Sequence, residues 1–223
     1  MRTLILFDLD GTLTDSGPGI IRCVQYALQK MGRPTPVEEE LACFVGPPLL
    51  EQFMEYGKFT REEAEQAVGY YRERYRIKGI FENEVYPGIR QLLRQLHLSG
   101  LRTGVASSKP EIYVRQILEH FEMAQYLEPV TGSELDGRRT DKSEVIEEAL
   151  RRAGYENQRE KVIMCGDRRY DVQGAAEHGL HFVGVSYGYG TREELESAGA
   201  VQIADSVEAL GRILLRTGKE REE

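Results

Sequence analysis

Residues 4–16, "LILFDLDGTLTDS", set the fold reading. Four apolar residues make a short buried strand, two carboxylates follow at Asp8 and Asp10, and Gly11 lets the backbone turn. Along an extended chain residues i and i+2 project to one side, so Asp8 and Asp10 approach the same region of space. At ~5 Å and an effective dielectric near 20 their repulsion is roughly 3 kcal/mol, enough to protonate one of them unless a cation lies nearby. The chain therefore has to bring a metal ion or a lysine to this strand end.

Outward from that stretch, further apolar runs read as buried strands at Thr3–Phe7, Arg102–Ala106, Lys161–Cys165 and His181–Val185, with weaker ones at Glu128–Val130 and Val201–Ile203. Helical periodicity fills the intervals. Pro110 marks a first helical turn, Thr191-x-x-Glu194 reads as a capping box, and Asp205 or Ser206 caps a segment ending near Leu215. Strands alternating with helices imply parallel βαβ units, hence a doubly wound parallel α/β sheet covered on both faces.

Residues 16–86 break the alternation. They carry helical patterns at Ile20–Met31, at Pro48–Tyr56 and from a Thr60-x-x-Glu63 box towards Lys78, and no convincing strand. Turn chemistry borders them, Ser16-Gly17-Pro18-Gly19 on one side and Tyr86-Pro87-Gly88 on the other, as expected of two linkers running side by side. The expected organisation is an α/β core of residues 1–15 and 87–223 with an all-helical cap domain, 16–86, inserted on a hinge.

Bulk properties limit the partners. A net charge of −8 argues against nucleic acid or an anionic membrane surface. Three cysteines, Cys23, Cys43 and Cys165, form no CxxC pair and fit a reducing compartment. No apolar run approaches the ~20 residues of a membrane span, and no signal-peptide pattern precedes the first strand. The expectation is a cytoplasmic protein, monomer or homodimer.

The strand ends carry complementary chemistry. "VIMCGDRRYD", 162–171, is a second apolar strand ending in a glycine and Asp167, with Asp171 four residues on; were a helix to begin there, the two acids would share a face. Hard carboxylate oxygens with no Cys or His beside them suit Mg²⁺ better than zinc. "RTGVASSKP", 102–110, places Ser107 and Ser108 at a helix entrance, a favourable place for phosphate, and Asp141-Lys142-Ser143 opens another helix with a cation. In an open α/β sheet such groups converge outside the carboxyl ends of the strands. Asp8 then reads as nucleophile and metal ligand, and Asp10 as the group that moves a proton to the leaving oxygen and later takes one from water. Metal, lysine and oriented donors together suit a dianionic phosphate ester.

In order and context, Asp8-Leu-Asp10-Gly-Thr12, Ser107, Lys142 and Gly166-Asp167-x-x-x-Asp171 resemble the four motifs of the haloacid dehalogenase superfamily of phosphatases, whose core is a Rossmann-type sheet. The helical insertion resembles that family's small cap. "VGPPL" and "VYPGI" are similar to phosphoglycolate phosphatase-like members, and "FVGPPLLEQF" and "SELDGRRTDK" are as similar to nucleoside 5′-monophosphatases. The resemblance implies an aspartyl-phosphate on Asp8 and a Mg²⁺ cofactor held by Asp8, the main-chain carbonyl of Asp10, and Asp167. Asp171 would stand behind these ligands, Lys142 would serve catalysis, and phosphate would lie against Gly11, Thr12 and Ser107 or Ser108, with Ser107 preferred. Gly46, Pro47 and Pro48 would form a cap loop that sets specificity. The substrate class implied is a small soluble phosphate ester, phosphoglycolate-like or a nucleoside 5′-monophosphate. A beta-phosphoglucomutase-like transferase shares the motifs, and a phospho-aspartate switch without turnover is the reading outside enzymology.

Other features have plainer readings. His178 and His181 flank Gly179 at a helix end and do not read as a metal pair. The tyrosines of "YYRERYR", 70–76, read as packing residues with solvated arginines between them. "YGYGT", 187–191, lacks the Gly-Lys-Ser/Thr ending of a phosphate loop and reads as a shape-giving turn. Lys109, Arg168 and Arg169 are left open between site and surface.

Overall fold

The computed structural model describes residues 3–220. In chain order its elements are β1 (Leu4–Phe7), β2 (Thr14–Asp15), α1 (Gly17–Lys30), α2 (Leu49–Gly57), α3 (Arg61–Tyr75), β3 (Glu84–Val85), α4 (Ile89–Leu98), β4 (Arg102–Pro110), α5 (Glu111–His120), β5 (Val130–Ser133), α6 (Lys142–Ala153), β6 (Val162–Gly166), α7 (Arg169–Glu177), β7 (His181–Val185), α8 (Arg192–Ser197), β8 (Ile203–Ala204) and α9 (Val207–Glu220). Contacts divide the chain into two compact units, one of residues up to Thr14 and from Val85 onward, the other Asp15–Glu84.

The first unit is built on a parallel sheet in the order β5-β4-β1-β6-β7-β8. Every residue of β1 is fully buried although neighbours alternate in direction, so both faces of the sheet are covered, as the unbroken apolar run "LILF" requires. One face is closed by α6 and α7: Leu4 and Leu6 join Val145, Ile146, Ala149, Leu150 and Ala175 in a single cluster. Strand order reverses at β1, which has β4 on one side and the later β6 on the other. A crevice therefore opens at the carboxyl ends of these three strands.

The second unit is helical. In it α1 and α3 pack together and α2 packs on α3. Buried tyrosines 71 and 75 stack with centroids 5.3 Å apart, so the packing reading of "YYRERYR" holds for those two, while Arg74, expected to be solvated, is instead drawn into an ion pair and half-buried. Thr60 and Glu63 form the complete capping box. Phe44, Phe53, Tyr56 and Phe59 make a chain of ring contacts, and Arg74 pairs with Glu82 at 2.6 Å. A 3₁₀ stretch, Glu38–Phe44, lies between α1 and α2 where the periodicity announces nothing. The short strands β2 and β3 pair with each other.

Boundaries differ from expectation where packing overrides local pattern. β5 lies at 130–133 rather than 128–130, because pairing of Val105 with Val130 and Ala106 with Thr131 carries polar Thr131 and Ser133 into the interior. Likewise β8 is Ile203–Ala204, α3 stops at Tyr75 and α9 runs past Leu215. Pro110 ends β4 and caps α5 instead of entering it. Of the two candidate caps for α9, Ser206 is the acceptor, taking the Ala209 N–H at 3.2 Å. None of the three cysteines is in a disulfide, and no helix of the described residues is long and apolar enough to cross a membrane.

Candidate active site

Asp8 leaves β1 with its N–H on the Cys165 carbonyl at 2.9 Å, which sets it level with the end of β6. The chain then turns tightly: Leu13 and Thr14 both donate to the Leu9 carbonyl, and Gly11, at φ +79°, donates to that of Thr14. Gly11 is required twice over, by its left-handed backbone and because a Cβ there would lie 2.2 Å from Asp167 Oδ2. On β6, a Cβ at Gly166 would lie 2.2 Å from Asp171 Cγ. Both glycines let acids approach.

Asp167 does not stand on the helix with Asp171, because α7 starts only at Arg169. The two converge because Asp171, in the first turn, bends back to accept the Arg168 N–H at 3.0 Å. Asp8, Asp167 and Asp171, all buried, present carboxylate oxygens within 4.8 Å of one another. Among them stands Lys142, at the start of α6 and equally buried. Its ammonium lies 2.9 Å from Asp8 Oδ1 and 2.7 Å from Asp171 Oδ1, and it donates to the Ala106 carbonyl at 3.1 Å. Asp167 Oδ2 accepts the Tyr189 N–H at 2.8 Å; Asp167 Oδ1 is buried with no hydrogen-bond partner among the described residues.

The electrostatics follow. Burial pushes Asp8 up to about 6 against the pull of Lys142, with Asp171 and Asp10 adding to the rise. Asp167 is pushed well above the carboxylate range by burial first and by Asp171 and Asp8 next. Burial works to lower Lys142, but Asp171 and Asp8 outweigh it and hold the ammonium above its ordinary value.

Asp10 answers to a different cation. Lys109 Nζ lies 2.6 Å from its Oδ2 and 2.8 Å from its Oδ1, and both side chains are buried. Lys109 reaches there because the β4–β5 register breaks between Ala106 and Pro110, freeing residues 107–109 from regular pairing. Ser107 is buried with its hydroxyl accepting the Lys109 N–H at 3.4 Å, whereas Ser108 is half-buried. Thr12 is buried, its Oγ1 unpartnered among the described residues. Gly46, Pro47 and Pro48 belong to the helical unit.

Sequence reasoning missed several participants. The "YGYGT" turn contributes the Tyr189 N–H, and main-chain donors leave no mark in residue identity. Thr191 accepts the Glu194 N–H, but Glu194 does not close the capping box; its carboxylate accepts from Arg168 Nε and the Arg169 N–H, both at 3.0 Å. Arg168 is thus turned into the protein. His178 and His181 bond to Ser143 and Gln202 separately.

A model of haloacid dehalogenase-like hydrolases matches residues 5–185. A 5′-nucleotidase of Pseudomonas aeruginosa is 42% identical over 210 residues, 94% of this chain and 94% of that protein. Tyrosine-protein kinase PtkA of Mycobacterium tuberculosis is 39% identical over 214 residues, 93% of this chain and 72% of that one. Among solved structures, a crystal structure described as that of "a predicted phosphatase" from Clostridium acetobutylicum is similar with a TM-score of 0.92 at 45% identity, covering 97% of this chain and 99% of that chain.

Proposed function

The chain belongs to the haloacid dehalogenase-like hydrolases and is a phosphatase of that family, and we propose that it is a Mg²⁺-dependent phosphomonoesterase working through a phosphoryl group carried on Asp8. The observation that carries this reading is a charge imbalance. Fully ionised, Asp8, Asp167 and Asp171 would set three negative charges against the single positive charge of Lys142, a remainder of two that their burial penalises. One divalent cation cancels it, and the unpartnered Asp167 Oδ1 is an oxygen still available to such an ion. An all-oxygen donor set suits Mg²⁺. Asp8, Asp167 and the main-chain carbonyl of Asp10 would hold it, and when bound it supplies positive charge to the phosphate oxygens.

The chain's own residues do the rest. An Asp8 oxygen attacks phosphorus, and its bond forms as the ester P–O bond breaks. Asp10 gives a proton to the departing oxygen. Water then attacks the phosphorus of phospho-Asp8 as Asp10 takes a proton from it, the bond between phosphorus and the Asp8 oxygen breaks, and free phosphate and the Asp8 carboxylate are released. For Asp10 to carry a proton its ion pair with Lys109 has to loosen, and an arriving phosphate dianion, a stronger partner for the ammonium, does that. Lys142 holds Asp8 in place, while Ser107, Gly11 and Thr12 supply donors around the phosphate. Ser108, half-buried, is the lesser candidate. The helical unit serves as a cap, with Gly46, Pro47 and Pro48 shaping specificity.

The relative named 5′-nucleotidase supports nucleoside 5′-monophosphates as the first substrate class. Phosphate release with Mg²⁺ is to be measured across nucleoside 5′-monophosphates, phosphoglycolate, sugar phosphates and pyrophosphate. The highest kcat/KM is expected for a nucleoside monophosphate, with all release abolished in Asp8→Asn. Parent-like activity in Asp8→Asn refutes the nucleophile. Sugar phosphate isomerised without release points to the transferase, and a stable phosphoprotein without turnover to the switch.

A further inference from the structure

We infer that the segment Tyr187–Glu194, which follows β7 and runs into the first turn of α8, is the positioning element that aims Asp167 at the metal; the inference rests on the metal reading above. A plain surface turn needs only flexible, solvated residues. This one is driven against the acid. A Cβ at Gly188 would lie 2.3 Å from the Gly11 carbonyl oxygen and 2.6 Å from Asp167 Cβ and Oδ2, and one at Gly190 would lie 1.8 Å from the Asp167 carbonyl oxygen. No side chain fits at either position without moving Asp167 or the turn after Asp10.

Between those glycines the Tyr189 N–H takes Asp167 Oδ2 at 2.8 Å, which commits one carboxylate oxygen and leaves Oδ1 presented. At one end of the segment the Tyr187 hydroxyl donates to the Thr12 carbonyl at 3.0 Å, and its ring meets that of Tyr86 edge-on at 5.0 Å. At the other end Glu194 Oε1 accepts from Arg168 Nε and the Arg169 N–H, pinning the two residues that follow Asp167. The Arg168 N–H is on Asp171. The segment thus grips Asp167 and both of its flanks: Gly11 and Thr12 on one, the first turn of α7 on the other. Groups that orient a metal ligand typically set affinity by ~10–100-fold, so this loop should set Mg²⁺ affinity without touching the ion.

The test is calorimetric titration of Mg²⁺ into the EDTA-stripped full chain without substrate, for the parent, Asp167→Asn, Gly188→Ala, Gly190→Ala and Glu194→Ala. The parent should bind Mg²⁺ and Asp167→Asn should lose it. The two glycine variants should bind ~10–100-fold more weakly, and Glu194→Ala at least ~3-fold more weakly, as the mildest perturbation of the same kind. In turnover of p-nitrophenyl phosphate, the Mg²⁺ concentration for half-maximal rate should rise in these variants while KM for the ester stays within about twofold, a split that loss of general stability does not produce. Folded glycine variants with parent-like Mg²⁺ affinity would overturn the inference. Should they fail to fold, Glu194→Ala decides alone, and unchanged affinity there overturns it equally. A parent that binds no Mg²⁺ brings down the metal reading itself, an outcome separate from the loop's failure.

Discussion

Asp8 and Asp10 are two residues apart and are paired with different lysines: Asp8 with Lys142, inside the cluster of acids, and Asp10 with Lys109, outside it. That separation lets neighbouring carboxyls take different roles. It also has a pH signature. The native pKa of Asp8 is raised above its unfolded value, to about 6, so its contribution favours the fold at low pH and is lost as pH rises through about 6; Asp167 shifts in the same direction. Mg²⁺ relieves the penalty only where the acids are ionised. The gain in Tm on adding Mg²⁺ to EDTA-stripped protein should therefore be larger at pH 8 than at pH 5, read by differential scanning calorimetry at about 2–4 °C per kcal/mol. Equal gains at the two pH values contradict it. For Lys109, replacement by Met should lower kcat/KM for phosphate esters by ~100-fold, the scale for loss of a charged donor to the transferring group. Steady-state kinetics showing less than a threefold change would remove Lys109 from the site. Residue identity made the four acids and Lys142 legible because each follows a strand or opens a helix. Lys109 was not, because its reach to Asp10 depends on a break in strand register that involves β5.

Among the elements, β5 is the edge strand beside β4, and its exposed side is managed by arginines. Arg115 and Arg152 donate to the Val130 carbonyl at 3.2 and 2.9 Å, and Arg139 to that of Gly132 at 2.8 Å. Glu111 of α5 and Glu148 of α6 hold these arginines, Glu148 within 2.7 Å of Arg152 and 3.6 Å of Arg139. Hydrogen bonds from Arg151 first and then Arg152, working against partial burial, lower Glu148 to about 2. A depressed carboxyl stabilises above its unfolded pKa and loses that contribution as pH falls from about 4 towards 2. Glu148→Gln should thus cost about 1 kcal/mol at pH 7 in urea unfolding, and the difference from the parent should narrow towards pH 3. A difference independent of pH would mean that packing, and not the ion pairs, is what the glutamate supplies. None of this network was readable, since its members lie on α5, β5, α6 and the turn before Lys142, with nothing in their spacing to join them. The contact of the "YGYGT" turn with Asp167 went unread for a related reason: its chemistry is main-chain, and Glu194 looked locally like the partner of Thr191 while its carboxylate serves α7.

For the molecule as a whole, the apolar runs carried the parallel sheet correctly, because strands buried on both faces leave an unambiguous pattern. Ends of elements were less legible. At β5 and β8 the pairing register, a long-range property, moved the boundaries, and polar Thr131 and Ser133 gave no local sign of burial. The order β5-β4-β1-β6-β7-β8 explains why acids and lysines far apart in sequence meet: the turns after β1 and β6, the end of β4 and the start of α6 gather where the winding reverses. There the three acids, once ionised, leave two charges that Lys142 does not cancel, and the proposed activity depends on a divalent ion cancelling them. The most direct test is a crystal structure of the full chain grown with MgCl₂ and beryllofluoride. We predict BeF₃⁻ bonded to an Asp8 carboxylate oxygen, with one Mg²⁺ bound by Asp8 and Asp167. Beryllofluoride on Asp10, or a site holding neither ion at saturating concentrations, would contradict the account.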